Sequence, residues 1–160
     1  MLTEGAAGPE GEVEPVQVRS DRWYDLPASR ASVWDAFATT DRFRSWWPWL
    51  VEFEGTPLAV GQRWSCAVSP PLPYVVRFTL DLVAVRPHEM VTAEVRGDVV
   101  GDARLDLVDH RGGCRLHLVS DLAPGNAALQ VVATAARPLV RRGHDWVLDT
   151  GARQFVERAL

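Results

Sequence analysis

The chain has 160 residues, 47% hydrophobic and 24% charged, which suits one domain with a single core burying roughly 70% of the unfolded surface. Four of its 21 acids, Glu4, Glu10, Glu12 and Glu14, fall in the first fifteen residues; without them seventeen acids face seventeen bases, and no net positive charge remains to grip nucleic acid. All seventeen bases are arginine, which excludes a Schiff-base lysine, a pyridoxal phosphate attachment site and a P-loop lysine, because each mechanism needs the amine itself.

Residues 1–15, with almost nothing to bury, read as a disordered acidic tail, and residues 16–160 as the folded domain. No basic segment followed by an apolar run opens the chain, and no window approaches 18 apolar residues. The expectation is a cytoplasmic protein without stable membrane insertion. Val16 to Tyr24 alternates weakly and reads as a first strand. After Leu26-Pro27-Ala28, Ser29 is placed to cap a helix carrying Val33, Trp34 and Phe37 at helical spacing. A second short helix, Asp41 to Trp46 with Thr40 as its cap, must end before Pro48.

From Trp49 the apolar period drops to two. Trp49, Val51 and Phe53 form one face of a strand, and Trp64, Cys66 and Val68 one face of the next. Ser69 to Pro73 is a loop, because its prolines cannot donate to a ladder. Four more alternating runs follow: Val76-Phe78-Leu80-Leu82, Val91-Ala93-Val95, Val99 to Leu107, and Cys114-Leu116-Leu118-Ser120-Leu122 after an Arg111-Gly112-Gly113 turn. Cys66 and Cys114 lie inside these runs and read as buried free thiols. Short connections imply antiparallel hairpins, with Arg77, Asp81, Glu94, Arg96, Asp102, Arg104, Asp106, Arg115 and His117 on the wet face. Ala127 to Ala136 favours helix, and Pro138 kinks or restarts it. On the last segment Val140, His144, Val147, Leu148, Gly151, Phe155 and Ala159 share an arc of about 120°, the stripe of an amphipathic helix that needs a broad apolar surface to lie on. Asp149 and Arg153 have the spacing of a solvated pair, and Arg158, near the stripe, implies a last turn projecting beyond the sheet.

This order resembles the START-like or helix-grip superfamily, also called SRPBCC, and within it the polyketide cyclase/dehydrase and lipid-transport group of actinobacteria. The residues that carry the resemblance are Val33-Trp34, Trp46-Trp47-Pro48, Leu72-Pro73-Tyr74, Gly97-Asp98-Val99-Val100-Gly101, and Pro138 with His144, Val147 and Gly151. It spans about residues 16 to 158. It implies an α+β fold: a curved antiparallel sheet of about seven strands wrapped around a long C-terminal helix, with two short helices after the first strand. It also implies a cavity between sheet and final helix that takes a hydrophobic small molecule of polyketide, fatty acyl or isoprenoid type. No cofactor and no metal is expected; His88, His110, His117 and His144 have no ligand spacing, and HExxH, GxSxG and nucleotide-binding glycine patterns are missing.

Candidate ligand-binding residues are Trp46, Trp47, Trp49, Trp64, Phe78, Gly101, Ser120, His144, Val147, Leu148 and Gly151. Large rings bind flat apolar ligands by area and stacking, and inward glycines leave room for them. His144, placed by the wheel toward the cavity, is the candidate acid/base, with Tyr74 as a hydroxyl partner for a carbonyl. Asp98 beside Gly97 is explained by a tight hairpin alone. A carrier and a polyketide aromatase/cyclase or dehydratase both fit. The near absence of polar inward positions, Ser120 and His144 excepted, favours the carrier over the enzyme. Monomer and homodimer are both compatible.

Overall fold

The computed structural model describes residues 16–55 and 57–160, so the tail over 1–15 lies outside the described residues. The elements run β1 (Val18–Leu26), α1 (Arg30–Ala38), a 3-10 turn (Thr40–Arg42), α2 (Phe43–Trp46), β2 (Leu50–Glu54), β3 (Arg63–Val68), β4 (Val76–Arg86), β5 (Met90–Gly97), β6 (Val99–His110), β7 (Gly113–Pro124), α3 (Ala127–Ala135) and α4 (Arg137–Ala159). The strands form a seven-stranded sheet in the order β1-β7-β6-β5-β4-β3-β2, antiparallel throughout. Consecutive strands from β2 to β7 are neighbours, as short hairpins require. Only β1 is displaced, to the far side of β7, because α1 and α2 carry the chain from one edge of the sheet to the other.

Local chemistry accounts for the helix ends. Ser29 caps α1, its Oγ accepting from the Ser32 N–H at 3.2 Å. Thr40, expected as a cap, is instead the first residue of the 3-10 turn, and no side chain caps that turn. Asn126 caps α3 by accepting from the Leu129 N–H at 2.8 Å. Pro138 restarts rather than kinks the helix: it sits in the first turn of α4, where its missing N–H costs nothing. At 23 residues α4 is about 35 Å long, enough to cross the whole sheet.

Two irregularities shift faces relative to simple alternation. In β2 the register slips between Leu50 and Glu52, so Leu50 pairs with Val68 and Phe53 with Cys66. Leu50 and Phe53 therefore share the inner face, and the expected Trp49-Val51-Phe53 face is broken by a bulge. A second slip between Leu82 and Ala84 turns Val85 inward opposite Val91. Asp98 serves the corner between strands. Its carboxylate accepts from the Arg77 N–H at 2.8 Å and from Asn126 Nδ2 at 3.2 Å, tying the β5–β6 hairpin to β4 and to the start of α3.

The concave face of the sheet is divided in two. Under the C-terminal half of α4, Phe155, only 2% exposed, stacks on Phe37 with centroids 4.7 Å apart. Around them Phe43, Trp46, Trp47, Trp49, Phe53 and Trp64 make a continuous aromatic cluster. Arg158 Nη1 donates to the Trp46 carbonyl at 2.8 Å, so the last turn of α4 is tied to α2 and does not project beyond the sheet. Under the N-terminal half of α4 the space is not filled.

Candidate functional site

That unfilled space is a cavity of about 260 Å³. Its floor is the inner face of β4 to β7, with Phe78, Leu80, Val95, Ala103, Leu118, Ser120 and Leu122. Its roof is α4, with Val140, Gly143, His144, Val147 and Leu148, and one wall is α3, with Leu129 and Ala133. Strand alternation supplies the floor residues and the 3.6-residue stripe supplies the roof, so both follow directly from sequence periodicity. The loop between β3 and β4 covers one side through Pro70 and Tyr74. It approaches because residue 143 is glycine: a Cβ there would lie 2.9 Å from Leu72 Cδ1 and 3.7 Å from the Tyr74 hydroxyl.

Polar groups are few and lie close together. Ser120 Oγ is 3.5 Å from His144 Nε2, at the outer limit of a hydrogen bond, so each keeps most of its bonding capacity. Burial pushes the His144 imidazole below its ordinary value; Asp145 opposes this, while Arg141 and Arg22 reinforce it. The ring is therefore neutral at pH 7. Burial likewise raises the Tyr74 phenol, keeping it a protonated donor.

Beside the cavity, β1 turns two polar side chains toward α4. Arg22 lies 3.0 Å from Asp145, and the Tyr24 hydroxyl donates to Asp149 at 2.7 Å. The expected Asp149–Arg153 pair is absent: Asp149 is held by Tyr24, and Arg153 sits 4.0 Å from Glu157. This polar seam between β1 and α4 escaped sequence reading because weak alternation in β1 hid which face Ser20, Arg22 and Tyr24 occupy.

Of the residues singled out from sequence, Tyr74, Phe78, Ser120, His144, Val147 and Leu148 border the cavity. The others do not. Trp46, Trp47, Trp49 and Trp64 belong to the aromatic cluster rather than to a ligand wall. Trp47 Nε1 donates to the Gly151 carbonyl and Trp49 Nε1 to Gln154, each at 2.9 Å, which anchors both rings to α4. Gly151 does not keep space open either, since a Cβ there would meet Trp49 Cζ2 at 3.1 Å; its bare backbone admits the indole. Gly101 has φ +148°, and a Cβ would fall 1.9 Å from the Asp121 carbonyl oxygen, so it serves the close approach of β6 and β7 and not a ligand. Gly143 was missed; its signal was its place three residues after Val140 and four before Val147, beside the apolar stripe.

A larger hollow, about 580 Å³, opens to solvent beside β2, β3 and β4. Arg77 is paired with Glu52 across the sheet, and Arg96 with Glu94 on its own strand at 2.7 Å. Among the described residues no group of three His, Cys, Asp or Glu side chains is placed to hold a metal ion. No helix among them is long and apolar enough to cross a membrane.

Neither a protein-family model nor a curated protein matches the chain. Solved structures do. The di-domain aromatase/cyclase BexL from the BE-7585A biosynthetic pathway superposes with a TM-score of 0.71 at 13% identity, covering 89% of this chain and 50% of that one. Norcoclaurine synthase from Thalictrum flavum, in complex with dopamine and hydroxybenzaldehyde, gives 0.61 at 13% identity over 99% of this chain and 97% of that one. Ara h 8.0201 gives 0.64 at 9% identity over 90% of this chain and 98% of that one. The chain has the helix-grip fold. It spans about half the length of the di-domain aromatase/cyclase. Identities this low establish the helix-grip architecture alone, and function has to be argued from the site.

Proposed function

We propose that this helix-grip chain binds a compact hydrophobic small molecule in the cavity between sheet and α4. The observation that carries the reading is the division of the concave face. The C-terminal half is filled by eight aromatic side chains, while the N-terminal half, lined almost wholly by apolar side chains, holds about 260 Å³ of open space. A chain with this many large side chains had the means to fill both halves. The volume lies just under the usual 300–1,000 Å³ of small-molecule sites, which suits a mono- or bicyclic or short acyl ligand. Cys66 and Cys114 are unpaired, in keeping with a reducing, cytoplasmic setting.

A second reading, polyketide cyclase or dehydratase, draws on the Ser120–His144 contact, the nearby Tyr74 hydroxyl and the fold shared with BexL. It is the weaker, because a long poly-β-keto chain exceeds this cavity and only three polar side chains face it. Ala103 faces the cavity directly opposite Ser120, so Ala103→Phe places a ring in the space. Calorimetric titration with naphthalene should then show binding to the wild type and none to this variant at matched folding. Equal binding by both would remove the cavity as the site. For the enzyme reading, unchanged cyclisation of a poly-β-keto substrate by His144→Gln would remove the acid/base role.

A further inference from the structure

The cavity has one polar end, and its composition limits what a ligand presents there. No Arg, Asp or Glu borders it. Arg22, on the neighbouring β1, is engaged by Asp145 at 3.0 Å, and Arg141, on α4, does not line the cavity either. At the polar end Ser120 lines the cavity, and Ser20, directly opposite it on the β1–β7 pair, lies outside the lining; both are more than nine-tenths buried. The Ser20 hydroxyl has no hydrogen-bond partner among the described residues, and Ser120 has only the long 3.5 Å contact to His144. Buried hydroxyls left unpaired are costly, and a ligand atom that pairs with Ser120 recovers part of that cost. A carboxylate placed there would lose its hydration with no cation bordering the cavity to pair with it, whereas an uncharged oxygen needs only the donors and acceptors present.

We propose that Ser120, backed by Ser20 and His144, recognises one uncharged oxygen, a hydroxyl or ketone, on a compact apolar ligand, and that the cavity rejects carboxylates. This narrows the ligand class to phenols, alcohols and ketones of one or two rings or equivalent size, and sets fatty-acid anions aside. It rests on the cavity being a ligand site.

The test uses three probes that share a ring system: naphthalene, 2-naphthol and 2-naphthoate, titrated calorimetrically into the full chain at pH 7.5. Wild type should bind 2-naphthol about tenfold more tightly than naphthalene, the scale of one hydrogen bond to a buried group, and 2-naphthoate more weakly than 2-naphthol by at least the same factor. The double substitution Ser20→Ala with Ser120→Ala should erase the preference for 2-naphthol over naphthalene. Equal affinity for naphthalene and 2-naphthol in the wild type, a preference for 2-naphthoate, or a preference that survives in the folded double variant overturns the proposal while leaving the cavity reading in place. Binding of none of the three overturns the cavity reading with it. Should the double variant not fold, the wild-type order of the three probes decides.

Discussion

His144 is the residue at which the electrostatics and the cavity meet. Its folded-state value is lowered, first by burial, then by Arg141 and Arg22, against the opposing Asp145. In the unfolded chain the imidazole titrates near 6.5. Between its lowered folded value and 6.5 the unfolded state binds more protons, so stability rises with pH through that window and falls on acidification. Thermal melts of wild type and His144→Gln at pH 7.5 and pH 5.5 should therefore show wild type losing more stability than the variant over the same interval. Parallel losses would mean that the imidazole is not held neutral by its surroundings. The same residue shows how far side-chain roles are legible in sequence. The helical wheel places His144 toward the sheet, and the chain folds it there. Nothing in the wheel foretells that Ser120 comes within 3.5 Å, since that contact joins positions 24 apart through the strand-to-helix path of α3.

At the scale of elements, α4 is two helices in function. Its C-terminal half is gripped: Phe155 stacks between Phe37 and the tryptophans, Gly151 admits Trp49, and Arg158 reaches the Trp46 carbonyl. Its N-terminal half borders open space through Val147 and Leu148. Phe155→Ala should cost about 3–5 kcal/mol, because closely packed rings on several sides cannot collapse into the gap. That corresponds to roughly 10 °C in melting temperature for a chain of this size. Leu148→Ala, which enlarges a space already present, should cost less, about 2 kcal/mol. Equal losses in thermal melts would mean that the two halves are packed alike. The strands, the antiparallel hairpins and the capped α1 were all legible, because alternation, turn residues and proline act locally; the place of β1 beside β7 was not, because that pairing joins the two ends of the chain. Trp46, Trp47, Trp49 and Trp64, which the sequence leaves open between core and ligand wall, pack in the aromatic cluster and do not border the cavity. Local pattern shows that a ring points inward but not whether its neighbours meet it, and here Phe155, a hundred residues away, does.

For the whole molecule, the divided face implies a divided stability. The aromatic half ties α1, α2, β2, β3 and the end of α4 together through ring contacts and indole hydrogen bonds. The hollow half is bounded by α3, a nine-residue helix with only Ala133 fully buried, and by the proline-rich loop over Gly143. Segments with few buried apolar contacts open locally at lower free energy than the core, so amide exchange should be faster in α3 and the first turns of α4 than over residues 150–159. A ligand that enters the cavity must contact the weaker half and so stabilise it, by about 2.7 kcal/mol at a concentration a hundredfold above Kd when local opening abolishes binding. Exchange measured with saturating 2-naphthol should therefore slow in α3, in residues 70–74 and over 140–148, with little change over 150–159. Uniform slowing along α4 would mean that the helix opens as one unit and that the aromatic half is coupled to the cavity. No slowing anywhere, in a sample that calorimetry shows to be bound, would place the probe outside the sheet. The outcome separates a rigid grip with one adjustable end from a helix that lifts as a whole to admit its ligand.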